Sequence, residues 1–189
     1  MRIEWVVAIL VVAVIGYGIF VFNRLVRHRN LVAEGWSGID VQLRRRADLV
    51  PNLIETVKAY AGHERGVLED VVTARNAGVS AAGVQGQAAA SQALGAALGR
   101  LFVLAEAYPQ LKADKNFLKL QEQLADIEDQ LQMARRYFNG ATRDYNTLVQ
   151  SFPDAIIAGP FGFNPGAFFE IDNAADRVAP TVSFEVRKP

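Results

Sequence analysis

The residues able to do chemistry in this chain are two clusters of charged side chains and two histidines. The first cluster lies in "GWSGIDVQLRRRADLVPNLIETVKAYAGHE", Gly35 to Glu64, where Asp40, Arg44 and Asp48 are spaced four apart and Arg44, Arg45 and Arg46 are consecutive. Adjacent guanidiniums can bind phosphate. On a helix, however, consecutive residues point in different directions, and Asp40 and Asp48 neutralise part of the charge. Basic and acidic residues balance at 20 each, so no nucleic-acid partner is expected. The second cluster, Glu122, Asp126, Glu128 and Asp129, has the spacing of a solvated helix face. A di-iron site in a helical bundle would need Glu-x-x-His pairs, and the only histidines are His28 and His63. His63–Glu64 lacks the second histidine of H-E-x-x-H and reads as a helix junction. There is no G-x-S-x-G elbow or Walker loop, and no cysteine for a thiol nucleophile, thiolate metal site or disulfide. No catalytic residue, metal ligand or cofactor site is assigned, and the chain reads as non-enzymatic.

The elements that carry these residues begin with "WVVAILVVAVIGYGIFVF", Trp5 to Phe22, which has no charge. That length matches the roughly 30 Å hydrocarbon core of a bilayer when helical. It is too long for a cleaved signal, and "FVFNRLV" offers no small-residue cleavage site. The expected organisation is a short segment 1–4, a transmembrane helix 5–23, a bundle 24–152 and a tail 153–189. Arg24, Arg27 and Arg29 follow the span, so the positive-inside rule puts the large domain in the cytoplasm and the N-terminus outside. A periplasmic domain is the alternative orientation. These arginines are also candidates to meet anionic lipid headgroups.

Beyond Asn30 a seven-residue repeat sets in. Trp36, Leu43, Val50 and Val57 fall at one core position, and Val32, Ile39, Leu53 and Tyr60 at the other. With no turn signal before it, this helix continues the anchor up to Gly62. Arg46 occupies a core slot between Ile39 and Leu53, so it must snorkel or find a carboxylate. Asp40, Arg44 and Asp48 can pair along the helix. Pro51 should bend the helix near Ala47 or remove a hydrogen bond there.

A second helix is expected from near Glu64. Gly78, Gly83 and Gly86 then predict a frayed, bent or looped stretch, with helix resuming by Ala88 and running to Tyr108 through Leu94, Ala97, Leu101 and Leu104, where Pro109 ends it. Asp114 is a good N-cap for a third helix. Its core positions run Phe117, Leu120, Leu124, Ile127, Leu131, Ala134, Phe138, Ala141, Tyr145, Leu148 and Phe152. Such a helix is roughly 60 Å long and needs equally long neighbours, which the first two segments are expected to supply. The fold class is therefore all-α: a transmembrane helix continuing into an elongated antiparallel bundle. In the tail, Gly159, Pro160, Pro165 and Gly166 exclude a long helix, while Phe161, Phe163, Phe168 and Phe169 should pack onto the bundle in extended form. Val182, Phe184 and Val186 alternate as in a short strand near 181–186, which would pair with another chain if it formed.

The stretch "WSGIDVQLRRRADLVPNLIETVKAYAGHE", followed by "AYPQLKADKNFLKLQEQL" and "RRYFNGATRDYN", resembles the LemA family of bacterial membrane proteins. The resemblance covers the chain from about Asn30 to Glu170. Gly35 and Phe138 stand where the family pattern has Ala and Tyr, and Thr142 where Val is usual. The resemblance implies an N-terminal membrane helix, a long helical bundle and no established enzyme chemistry. It also implies relatives in organelle-like membrane assembly and others resembling neighbours of membrane proteases. The family name has been attached to a sensor histidine kinase too, but this chain has neither a phosphoacceptor region nor a nucleotide pocket. As an interaction network the sequence offers Trp36, Asp40, Arg44, Arg46, Asp48, Pro51, Asn52, Glu55, His63, Glu64, Tyr108, Pro109, Tyr145 and Asn146. The expected function is a single-pass scaffold or adaptor at the bacterial inner membrane that meets the lipid bilayer, protein partners and itself. The alternative is an enzyme, or a regulatory subunit of a membrane protease, with a polar site around Arg44, Arg46, Glu55, Tyr145 and Asn146.

Overall fold

A computed structural model describes residues 2–170, and the expected strand near 181–186 lies outside them. Six helices and no strand occur among the described residues: α1 (Ile3–Ala61), α2 (Arg65–Ser80), α3 (Gly83–Glu106), α4 (Pro109–Lys112), α5 (Lys115–Gln150) and α6 (Asp154–Ala158). The anchor and the first bundle helix form one uninterrupted α1. Its most apolar window is long enough to cross a bilayer and only 6% of it is covered by the rest of the chain. α3 is also long and apolar enough, but 44% of its window is covered, as expected of a core helix.

α5 runs antiparallel to α1. Asp114 caps it as expected, its carboxylate accepting from the amides of Asn116 and Phe117 at 2.9 Å each. The Phe117 amide is the main reason this carboxyl sits below its ordinary pKa; the Tyr60 hydroxyl and Asn116 amide add to the effect, and desolvation opposes it. Phe117, Leu120, Leu124, Ile127, Leu131, Phe138, Tyr145 and Leu148 are buried along the predicted stripe. Each such side chain contributes about 1.5–3 kcal/mol when fully buried. Phe152 does not join them. α5 ends at Gln150, Ser151 turns the chain, and Phe152 is 84% exposed. On α1, Ile39, Val50, Leu53 and Val57 are buried, Trp36 is half-buried, and Tyr60 points outward to bond Asp114 Oδ2 at 3.0 Å. α1 and α5 approach closely at Gly35, where an added Cβ would lie 3.0 Å from Phe138 Cα.

α2 and α3 depart from expectation in two ways. The glycines do not open a long loop: α2 holds to Ser80 and α3 starts at Gly83, whose φ of 72° makes the turn. Gln87 helps by donating to the carbonyls of Gly78 and Ala81 at 3.2 and 3.0 Å, satisfying carbonyls at the end of α2. Nor are α2 and α3 as long as their neighbours. At 16 and 24 residues they flank only the half of the bundle farther from the anchor, where Leu68, Val71, Leu94, Leu98 and Leu101 share a core with Val50, Leu53, Val57, Phe117 and Leu124. Nearer the anchor, α1 and α5 are covered instead by α6 and the extended residues 163–170, which bury Phe163 and Phe169. Phe168 is half-buried, and Phe161, expected to pack onto the bundle, is 64% exposed.

Candidate functional site

Arg46 enters the core by finding a carboxylate. Its Nη2 lies 3.1 Å from Glu128 Oε2 on α5, and its Nη1 donates to the Ser91 carbonyl on α3 at 3.5 Å. Arg135, two turns along α5 from Glu128, donates to Ser91 Oγ at 3.0 Å. The absent side chain at Gly95 leaves room for the guanidinium, since an added Cβ would sit 3.3 Å from Arg46 Nη2. Burial lowers the pKa of Arg46, against the opposing pull of Glu128. Burial likewise lowers that of Arg135, with Glu128 opposing and Arg46 adding to the fall. Both remain guanidinium cations at physiological pH. The network thus joins α1, α3 and α5 through charge-assisted contacts.

Arg46 lines two recesses. One, of about 540 Å³, lies among α1, α2 and α3 and also presents Asp40, Arg44, Asp48 and Arg75. The other, of about 500 Å³, lies between α3 and α5 beside Gly95, Glu128 and Arg135. Asp40 holds Arg44 at 2.9 Å, while Asp48 makes no ion pair among the described residues. Pro51 lacks the amide that would bond the Ala47 carbonyl. Arg75 Nε of α2 donates to that carbonyl instead, at 3.4 Å, so the gap left by proline becomes a contact between helices.

The remaining signature residues are dispersed. Asn52 and Glu55 are exposed on α1, and the Asn52 carbonyl accepts from Thr56 Oγ1 at 2.8 Å. His63 sits exposed in the α1–α2 turn. Glu64 accepts from the Tyr108 hydroxyl at 3.4 Å, tying that turn to Pro109, the first residue of α4. Tyr145 packs instead with Val21 and Leu25, where burial raises its pKa and Arg29 opposes the rise. The axial separation along α1 from Leu25 to Arg46 is roughly 30 Å. Arg44, Arg46, Glu55, Tyr145 and Asn146 therefore do not converge, and the single polar site around them is corrected: the arginines and the Tyr145–Asn146 pair lie at separate levels of the bundle.

Asn146 has a different role, and it shares that role with Asn139, which the sequence reading passed over. Asn146 donates to the Gly166 carbonyl at 2.9 Å and accepts from its amide at 2.7 Å. Asn139, two turns earlier, does the same for Phe169 at 3.2 and 2.9 Å. The two side chains hold an extended backbone against α5 as a neighbouring strand would. At the Asn139 end, Phe169 sits near Trp36, with ring centroids 6.2 Å apart, and beneath the Arg135 guanidinium at 5.0 Å. The available signal was two asparagines seven apart inside a helix, where the residue is otherwise unfavourable.

Of the arginines expected at lipid headgroups, Arg24 reaches the buried Asp154 at 3.5 Å, and Arg29 lies 5.2 Å over the Phe163 ring. Arg27 is exposed.

A model of the LemA family matches residues 35–184. Magnetosome protein MamQ 2 and magnetosome protein MamQ 1 of Paramagnetospirillum magneticum are each 23% identical to this chain over 201 residues, covering 89% of it and 74% of the relative. Magnetosome protein MamQ of Magnetospirillum gryphiswaldense is 25% identical over 166 residues, covering 74% of this chain and 61% of the relative.

Proposed function

The chain belongs to the LemA family, and from that premise we propose that it is a non-enzymatic, membrane-anchored scaffold that self-associates and recruits proteins at the bacterial inner membrane. One observation carries this reading: a single helix passes without a break from an uncovered apolar segment into a bundle whose buried charges are spent on holding helices together. Arg46, Glu128, Ser91 and Arg135 engage one another, so the interior is organised for register and shape. The relatives named for the magnetosome support a role in assembling a cellular structure. The arginines after the span support a cytoplasmic bundle by the positive-inside rule.

Two measurements test the proposal. Light scattering of the full chain in detergent, with crosslinking in intact membranes, should give a species larger than a monomer and at least one captured protein. A monomer with no crosslinked partner overturns the scaffold. Protease added to spheroplasts should leave the bundle intact, and its digestion from outside would place it in the periplasm.

A further inference from the structure

The end of the molecule next to the anchor is apolar on its outside. Phe152 is 84% exposed, Ile156 64% and Phe161 64%. They lie on the elbow after α5, on α6 and on the following turn, and these pieces are fixed to α1 at a definite height. Phe161 and Phe163 stack edgewise on Phe22 with centroids at 5.2 and 5.5 Å. An atom placed at the Cβ position of Gly18 would lie 3.9 Å from Ile157 Cδ1. Phe22 and Gly18 belong to the charge-free run that begins at Trp5. At 1.5 Å per residue that run spans roughly 27 Å, close to the bilayer's apolar thickness. If Trp5 meets one boundary of the hydrocarbon, Phe22 meets the other. The exposed aromatic and aliphatic groups of the elbow then stand at the same depth as the lower end of the anchor.

The charges agree with this placement. Between Gln150 and Glu170 the single ionisable side chain is Asp154. It is turned inward, 5% exposed, and meets Arg24. A carboxylate at a membrane boundary is costly unless paired, and this pairing removes it from the outer face. Arg24 itself is 44% exposed at its side chain, so it can also face headgroups.

We propose that the α5–α6 elbow and the Phe161 turn form a second, peripheral contact with the bilayer, dipping into the leaflet through which α1 leaves. The occupant of this surface is lipid, because the surface continues the anchor's own apolar face at the same depth. It rests on the anchored reading above. One helix alone leaves the bundle free to spin about the membrane normal. A lateral apolar foot fixes which side of the bundle faces the membrane plane, and with it the presentation of any protein-binding face.

The chain has no cysteine, so single cysteines can be introduced and spin-labelled without other changes. The variants are Phe152→Cys, Ile156→Cys and Phe161→Cys in the full chain, with Val14→Cys to report the anchor and Lys112→Cys the far end. Each is reconstituted into phosphatidylethanolamine–phosphatidylglycerol vesicles, and collision with oxygen and with a water-soluble nickel chelate is measured. Labels at 152, 156 and 161 should collide with oxygen several-fold more, relative to nickel, than the label at 112. If Phe161→Cys loosens the stack on Phe22, the outward-facing positions 152 and 156 decide alone. Nickel accessibility equal to that at 112, with the label at 14 in lipid, overturns the second contact and leaves the anchor standing. Exclusion of both reagents overturns it in favour of a second copy covering the patch. A label at 14 open to nickel overturns the anchor and this contact together.

Discussion

Removing Glu128 should cost more than removing Arg46, although the two share one ion pair. Arg46 is 8% exposed, whereas the Glu128 side chain keeps 35% of its surface. Glu128→Leu leaves the guanidinium with the Ser91 carbonyl at 3.5 Å and a second cation, Arg135, close enough to raise the cost of both charges. Breaking a buried pair from one side costs about 3–5 kcal/mol, and because one partner here is partly hydrated the expected loss is about 2–4 kcal/mol. Arg46→Met removes the buried charge and keeps most of the stem's packing; Glu128 Oε2, buried against the guanidinium, then has to turn toward solvent on a side chain that keeps 35% of its surface, and the expected change is within about 1 kcal/mol. The double variant should return to within about 1 kcal/mol of Arg46→Met, a non-additivity typical of groups in contact. Urea unfolding of the full chain in detergent micelles, followed by far-ultraviolet circular dichroism at constant m, measures all four corners of the cycle. Equal costs for the two single variants, or simple addition in the double, would refute the reasoning.

Three other outcomes follow from the same contacts. Thr142 is fully buried and its hydroxyl finds no partner among the described residues, so Thr142→Val should raise stability by about 1 kcal/mol, and a lowered thermal midpoint contradicts this. Asn146→Ala removes two hydrogen bonds to Gly166 and should cost about 1–3 kcal/mol, with faster hydrogen exchange at the Gly166 amide while the Phe169 amide, held by Asn139, stays slow; unchanged exchange at Gly166 counts against the clamp. The Asp114 carboxyl is held below its ordinary pKa in the folded chain, so its stabilising effect is complete above the unfolded carboxyl's pKa and is lost as pH falls through the depressed folded value. The stability gap between wild type and Asp114→Ala should therefore close in acid, and a gap independent of pH would show that capping is not its source.

Much of the helical framework was legible because it rests on local rules. The uncharged run before Arg24, the stripe from Phe117 to Leu148 and the Asp114 cap depend on periodicity and on short-range hydrogen bonding, and each occurs where those rules put it. The LemA resemblance was legible for the same reason, since its motifs are contiguous and occur in order. What failed was long-range. Nothing in the heptads of α2 and α3 says where a hairpin must stop relative to α1, so their half-length went unseen. The glycines at 78, 83 and 86 suggested a loop, yet Gln87 and the positive φ of Gly83 confine the break to two residues. Arg46 was readable as a core charge needing a carboxylate, but choosing Glu128 over Glu122 or Asp126 requires the axial register of α1 on α5. Asn139 was missed because its partner is backbone thirty residues away, and backbone carries no sequence label.

The unbroken course of α1 has a mechanical consequence. From Phe22 to Ala61 it extends roughly 60 Å at 1.5 Å per residue, with α5 braced along it. A tilt of about 10° at the bilayer therefore swings the far tip sideways by about 10 Å over that length. In the anchored arrangement proposed above, changes in membrane thickness or curvature that lean the span would be converted into displacement of the α4 corner.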